Sequence, residues 1–458
     1  MAAATPKAVM PALKSSAPGI DRHAHTNWFR EDRFGMFIHW GAFSVHGRGE
    51  WLRSWEKISM EDYQPFIDGF TPEAFDADEW ARTAVAAGMK YAVLTAKHHD
   101  GFCLFDSAHS TYTSMHNGFG RDVVAEYVEA FRRHGLKVGL YFSLIDWSHP
   151  DFPAFGDAHH PHRDDPAYEG REHDFDRYLD FMHAQVRELA TNYGRVDLMW
   201  FDFSYDDLTG EAWRAGELVE MVRELQPGIL LDNRLEANGG SFGSIITDSP
   251  LPWSGDFVSP EQLVPAEGIL DLQGQPVPWE ACITLNNHWT HFFGDEDYKT
   301  PRMLVRKLVE IVSKGGNLLL NVGPHPDGRI LAEEQQILAE VGEWLSRNGD
   351  SIYGAGAADL PKPEWGYYTR KGDVLYAHVF EPPIGPLALV GVDPTRIDSL
   401  EIGGRRVERA DSWLIEAYPD TAFVSFGDGD PALTYPLPDD VDTVITIRLA
   451  PPSIPHGE

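Results

Sequence analysis

Two kinds of residue are scarce in this chain, and each scarcity removes a class of explanation. Cys103 and Cys282 are the only cysteines among 458 residues. A disulfide framework or a thiolate metal site needs more, so both read as small buried residues. Basic residues are outnumbered, with 38 lysines and arginines against 71 aspartates and glutamates and a formal charge of −33. Such a surface repels polyanions, which argues against nucleic acid or an anionic membrane face as a partner. Long apolar runs are missing as well. None approaches the roughly 18 residues of a membrane-spanning helix, and residues 1–20 lack the apolar core of a secretory signal. The expectation is a cytoplasmic protein with a disordered or extended tail over residues 1–20. Its hydrophobic content of 43% is enough to fill the cores of one large domain and a smaller one.

From Phe34 to about Gly323, β-type runs alternate with helical patterns, the signature of a parallel sheet with crossover helices. Strands are expected at 34–39, 90–99, 137–145, 196–203, 229–233, 281–286 and 317–322. Between them Val123, Val124, Tyr127, Val128 and Phe131 fall at helical spacing, as do Phe175, Tyr178, Leu179, Met182, Val186 and Leu189. Asp78 reads as the N-cap of a helix that Gly88 stops, and Thr300-Pro301 opens another that Gly315-Gly316 closes. The first strand is not followed by a G-x-G-x-x-G fingerprint, which disfavours a dinucleotide fold. The pattern predicts an α/β architecture, a (β/α)8-like (TIM-type) catalytic barrel over residues 21–350 with one irregular unit. Residues 235–278, rich in Gly, Pro and Ser, read as a long excursion over one face of it. After about Tyr353, short β-type runs at 374–380, 387–391, 421–426 and 442–449 predict a C-terminal β-sandwich over residues 351–458.

In such a barrel, chemistry sits where strands end, and three apolar runs here end in polar side chains. One finishes at His39, one at His98-His99-Asp100, and one, Val196-Asp-Leu-Met-Trp-Phe-Asp-Phe203, carries Asp202. Aromatic side chains concentrate near the same ends, among them Trp40, Trp51, Trp147, Trp200, Trp279 and Trp289. A lone tryptophan is more often core than ligand platform, so the cluster carries the signal. Neighbouring histidines on a strand face opposite ways, and no H-x-H or H-E-x-x-H spacing occurs in these segments, so hydroxyl binding outranks metal ligation. Glycoside hydrolysis with retention needs two carboxyl groups about 5–5.5 Å apart. Asp202 is the candidate nucleophile. The acid is left open between Glu261 and Glu280, with Asp256 and Glu236 behind them. The stretch from His149 to His162, rich in histidine and proline, reads as a solvent-exposed loop without a role, with a substrate-side loop as the alternative.

Eight segments in order resemble the α-L-fucosidases of glycoside hydrolase family 29. They are Gly35-Met-Phe-Ile-His-Trp-Gly41, Glu50-Trp51, Lys97-His-His-Asp-Gly-Phe102, Gly139-Leu-Tyr-Phe-Ser143, Met199-Trp-Phe-Asp202, Asp232-Asn-Arg234, Trp279-Glu280 and Gly315-Gly-Asn-Leu-Leu-Leu-Asn-Val-Gly-Pro324. The resemblance implies a (β/α)8-like domain followed by a β-sandwich, and a retaining exo-α-L-fucosidase that releases terminal fucose from an oligosaccharide or glycoconjugate. It places Asp202 on the catalytic nucleophile and Glu261 on the acid/base. His39, Glu50, Trp51, His98, His99 and Tyr141 fall on sugar-binding positions and Arg234 on an active-site arginine. Trp289 joins the substrate-binding set, in a run Asn287-His-Trp-Thr-His-Phe292 where many relatives carry a Ser-Trp-Gly-Tyr-like run. No cofactor and no metal is implied. Other readings are a fucose-binding protein that lost turnover, a glycosidase for a fucose-like sugar, and a metal-dependent hydrolase built on His39, His98, His99 and Asp100. Assembly as a homo-oligomer is left open.

Overall fold

Seven of the expected strands form a single parallel sheet: β1 (Phe34–Ile38), β2 (Tyr91–Lys97), β3 (Lys137–Ser143), β4 (Leu198–Asp202), β5 (Leu230–Leu231), β6 (Glu280–Thr284) and β7 (Asn317–Val322). The computed structural model describes residues 22–410, 417–425 and 436–450, and the tail expected over residues 1–20 lies outside the described residues. Strand order is β5-β4-β3-β2-β1-β7-β6. Side chains alternate across the sheet, as the twofold period of a strand requires. Phe37, Tyr141, Leu198 and Trp200 pack together in the barrel interior, whereas Met36, Ile38, Leu140, Phe142, Met199 and Phe201 belong to the outer core beneath the helices. Burial on both faces explains why these strands read as continuous apolar runs.

Between β5 and β6 the wall is completed by residues 256–262. The Asp256 amide donates to Leu231 O (2.7 Å), Val258 to Pro278 O (2.9 Å), Glu280 to Val258 O (2.8 Å) and Cys282 to Pro260 O (3.1 Å). Single parallel bridges join Asp232 to Phe257, Val258 to Trp279 and Glu261 to Cys282. The excursion expected over 235–278 is corrected accordingly: its middle threads through the barrel wall as an irregular eighth strand. Pro260 offers no amide to a ladder, so regular pairing cannot run through this segment and no period-two pattern marks it.

The helices begin where short polar side chains cap them. Thr300 accepts the Met303 amide ahead of the helix Pro301–Ser313, as its sequence signals. The helix Ala77–Ala86 starts two residues earlier than expected: Asp76, in extended conformation, accepts the amides of Asp78 and Glu79 and is the cap. Asp78 instead turns outward to Arg133 and His134. The C-terminal part is a β-sandwich. A six-stranded antiparallel sheet faces the pair Leu387–Leu389 and Ala422–Val424 over a core that includes Leu375, Ala377, Val379, Ile445 and Ile447. It is tied to the barrel by Arg306, which donates to Val441 O (2.9 Å) and Phe380 O (2.7 Å).

Candidate active site

Strand ends converge on a cavity of about 260 Å³. Asp202, the last residue of β4, shares the inward face with Trp200 two residues earlier and so enters the cavity. Both of its oxygens are engaged: Oδ2 accepts from the Tyr141 hydroxyl (3.0 Å) and Oδ1 from Arg234 Nη1 (2.8 Å). Burial and the neighbouring Asp202 charge push the Tyr141 phenol well above its usual range, so it remains a proton donor at neutral pH.

Arg234 follows β5 and organises the site. Its Nε donates to Ser259 Oγ (2.9 Å) and Nη2 to Ser259 O (3.1 Å), which locks it to the eighth strand. Nη2 also reaches Glu261 Oε2 at 3.0 Å. One guanidinium therefore holds both candidate carboxylates, with its flat face 4.6 Å from the Trp200 ring. Burial works against the cation, yet Asp202 and Glu261 prevail and raise its pKa above the ordinary value. The Glu261 side chain is 37% exposed against 18% for Asp202, so the glutamate lies nearer the mouth. Phe203 (φ 79°) and Gln262 (φ 51°), the residues just after each carboxylate, occupy the left-handed region. Strain of this kind collects where a side chain must be aimed.

The rival carboxylates are committed elsewhere. Glu280 lies in the barrel floor, where it accepts from the Tyr91 hydroxyl and from Trp200 Nε1 (3.4 Å). Asp256 pairs with Arg223 (3.0 Å), and Glu236 accepts the Ser244 amide (2.6 Å).

His39, Glu50, Trp51, His98 and Trp289 all line the cavity. His39 is poised as an acceptor: Asn321 Nδ2 donates to Trp289 O (2.6 Å), which turns Asn321 Oδ1 toward His39 Nδ1 at 2.6 Å. That contact assigns the proton to Nδ1 and leaves Nε2 basic. Burial lowers its pKa to about 3, so the ring is neutral. His98 stacks on Tyr141 (5.2 Å, 10°) and its buried Nδ1 has no partner among the described residues. Glu50 is buried, which raises its pKa to about 7. His99 differs from the others. It is not in the lining; it lies fully buried behind His98 and Phe203, stacked on Trp147 at 3.9 Å, with both ring nitrogens unpartnered. The strand ends at Lys97, but the two histidines still part company. Asp100 points away to the Tyr63 hydroxyl (3.0 Å), so these four residues do not converge.

Several lining residues escaped the sequence reading. Phe37 alternates with His39, a signal that period two carries, just as Trp200 of the aromatic cluster alternates with Asp202. Phe203, Tyr205, Asn238 and Gly239 lie on loops, and Cys282 faces inward on β6. Of the two readings of the stretch from His149 to His162, the structure favours the substrate-side one in that it brings His159 into the lining, a placement that no periodicity announces.

Comparison with known proteins agrees with this geometry. A family model described as alpha-L-fucosidase matches residues 2–350. Plasma alpha-L-fucosidase of Pongo abelii is 34% identical over 416 residues, covering 84% of this chain and 82% of that protein. The rat (Rattus norvegicus) plasma enzyme is 32% identical over 399 residues, 81% of each. Among solved structures, alpha-L-fucosidase isoenzyme 1 from Paenibacillus thiaminolyticus superposes with a TM-score of 0.89 at 53% identity, covering 94% of this chain and 100% of that one. A GH29 alpha-L-fucosidase from Bacteroides thetaiotaomicron, trapped as a covalent intermediate with 2-fluoro-fucosyl fluoride, gives 0.78 at 30% identity over 96% and 98%.

Proposed function

The chain belongs to the alpha-L-fucosidase family of glycoside hydrolases, and from that premise we propose that it is a retaining exo-α-L-fucosidase with Asp202 as nucleophile and Glu261 as acid/base. The observation that carries this reading is the single Arg234 guanidinium bonded to both carboxylates. A guanidinium shared by two carboxyl groups brings them near one another, as a retaining pair with its spacing of about 5–5.5 Å requires.

Asp202 attacks the anomeric carbon while Glu261 donates a proton to the departing oxygen. A covalent fucosyl-enzyme results. Glu261, now a carboxylate, takes a proton from water, which displaces Asp202 with net retention. Arg234 and Tyr141 hold Asp202 by hydrogen bonds before attack and receive its charge again when it leaves. His39 Nε2 accepts from a sugar hydroxyl. The unpartnered Nδ1 of His98, which lines the cavity, would be satisfied by another, which accounts for a buried polar atom left open among the described residues. Glu50 and Trp51 complete the hydroxyl-binding set, with Phe37, Trp200 and Trp289 as apolar wall for the 6-deoxy carbon. The floor is closed by the barrel interior, so only a terminal residue enters. The substrate is thus a fucosylated oligosaccharide or glycoconjugate. No helix among the described residues is long and apolar enough to cross a membrane.

The test is hydrolysis of 4-nitrophenyl α-L-fucoside by wild type, Asp202→Ala and Glu261→Ala, with azide as external nucleophile. The mechanism requires both variants to lose turnover, β-fucosyl azide from Asp202→Ala and α-fucosyl azide from Glu261→Ala. Undiminished activity in Asp202→Ala would remove it from the role.

A further inference from the structure

The loop after β6 grips the loop after β1, and the grip ends on Glu50. Ser44 and Thr290 share a hydroxyl hydrogen bond (2.8 Å), the Phe293 amide donates to Gly47 O (2.8 Å), and an antiparallel bridge joins Arg48 to Phe292. Gly47 takes a left-handed φ of 59°, and a β-carbon there would stand 2.0 Å from the Phe293 ring, so the contact admits no side chain. Glu50 lies just beyond. It is buried in the cavity wall, and its carboxylate accepts from its own amide and from that of Thr290.

The gripping loop also brings a charge to bear. His288 is not in the lining, yet it is the cation that acts on Glu50. Its ring is braced twice: Nδ1 bonds Asp295 Oδ2 (2.6 Å), and one face stacks on Phe292 at 3.9 Å and 12°. Asp295 is itself fixed, its side chain only 4% exposed, by the amides of Asn287 (3.0 Å) and Asp297 (3.2 Å). Burial opposes its charge, but His288 and these amides prevail and hold its carboxyl below the usual range. An ionised carboxylate only accepts, which assigns the Nδ1 proton to His288.

Other charges around Glu50 are engaged or of the wrong sign. Arg48, two residues before it, is turned to Glu56 (3.3 Å), and Arg234 is shared by Asp202 and Glu261. Burial keeps His39 and His98 neutral, and His159 lies against the Trp51 ring at 5.2 Å. The Glu261 charge pushes Glu50 toward its neutral form.

We propose that His288, braced by Asp295, is a positioning residue that keeps Glu50 in its ionised, hydrogen-accepting form for the sugar hydroxyls and so sets the pH range in which the sugar binds. The inference rests on the fucosidase reading, in which Glu50 contacts those hydroxyls, and adds the residue that governs Glu50. A protonated carboxyl gives up acceptor capacity that the carboxylate has. Burial raises the pKa of Glu50 to about 7, against the pull of its own amide, His288 and Thr290. Without the imidazole charge Glu50 moves up by about one further unit, so at pH 7 the protonated form dominates. At pH 9 the carboxylate forms without help.

The experiment measures the Kd of L-fucose by calorimetry at pH 7 and pH 9 for wild type, His288→Gln and His288→Lys, beside hydrolysis of 4-nitrophenyl α-L-fucoside by wild type. The position is partly exposed, so both variants are expected to fold. His288→Gln is expected to bind about fivefold more weakly than wild type at pH 7 and within about twofold of it at pH 9. His288→Lys restores a positive charge and is expected to stay within about twofold of wild type at pH 7. A glutamine variant equally weak at both pH values, or equal to wild type at pH 7, overturns the inference, because a loop merely held in shape responds alike at both. A lysine variant as weak as the glutamine one overturns it too. Wild type that hydrolyses the fucoside while the variants match it removes only the role of His288. Wild type that neither binds fucose nor hydrolyses the fucoside removes the fucosidase reading, and this inference with it.

Discussion

Gly239 lies so close to Glu261 that a β-carbon on the glycine would stand 2.7 Å from the glutamate's own Cβ and 2.9 Å from its Oε2. The same atom would be 2.9 Å from Arg234 Nη2. Glu261, the proposed acid/base, and the guanidinium bonded to it are thus aimed by a backbone that approaches them without a side chain between. Gly239→Ala is expected to displace Glu261 and lower kcat on 4-nitrophenyl α-L-fucoside by about a hundredfold, the cost of an ångström-scale misplacement. Thermal unfolding should change little, because the loop is at the surface. An active Gly239→Ala enzyme with wild-type kcat would show that Glu261 is not held this way.

Arg234 should not be replaceable by lysine. A planar fork with two ends serves Asp202 and Glu261 at once while resting on Trp200; an ammonium serves one carboxylate as a point charge. Arg234→Lys is expected to fold and to lose about a hundredfold in kcat/KM. Steady-state kinetics decide it, and a loss under about threefold would reduce Arg234 to a bulk charge.

Glu280 is fully buried among Tyr91, Trp200 and neighbouring apolar side chains, and burial raises its pKa to about 7. The folded value lies above that of the unfolded carboxyl. Its contribution to stability is therefore fully present below about pH 4.5 and is lost as pH rises through about 7. The loss is on the order of 3 kcal/mol. Glu280→Gln should flatten the decline in unfolding free energy between pH 5 and pH 8, read by urea titration at both. A variant that tracks wild type at both pH values would mean that Glu280 does not titrate there.

Lys97 ends β2 just before the two histidines, and its buried Nζ donates to Asp146 Oδ2 (3.1 Å) and Gln185 Oε1 (3.1 Å). Lys97→Met leaves the Asp146 charge buried and unpaired, which should cost about 3–5 kcal/mol. Lys97→Met combined with Asp146→Leu should recover most of that in chemical denaturation. If the double variant is as unstable as the single one, the pair does not act as a unit.

The strands were legible because the barrel buries both of their faces, so each stands out as an apolar run: Leu318 to Leu320 and Leu198 to Phe201 need no context to be recognised. Asp202 and His39 were legible for the same reason, as polar breaks at the ends of such runs. Helix starts were readable where one capping side chain decides them, as at Thr300, and misread where two acidic residues compete, as at Asp76 and Asp78. The sandwich strands showed through their turns.

Composition and pattern thus determined by themselves an acidic α/β protein with a parallel barrel, a β-sandwich after it, and a carboxylate at a strand end. Pattern left the second carboxylate open, and beside the family resemblance it is the tertiary structure that sets Glu261 in the cavity with Asp202. Glu261 and Glu280 are alike in sequence, yet the irregular eighth strand carries one to the mouth and the register of β6 sends the other into the floor. It also separated His98 from His99 and brought His159 in from a loop without periodicity. Hydrophobic periodicity records which face of a chain avoids water, a local property. Which polar groups meet is set by distances between segments far apart in sequence, and only the closed barrel fixes those.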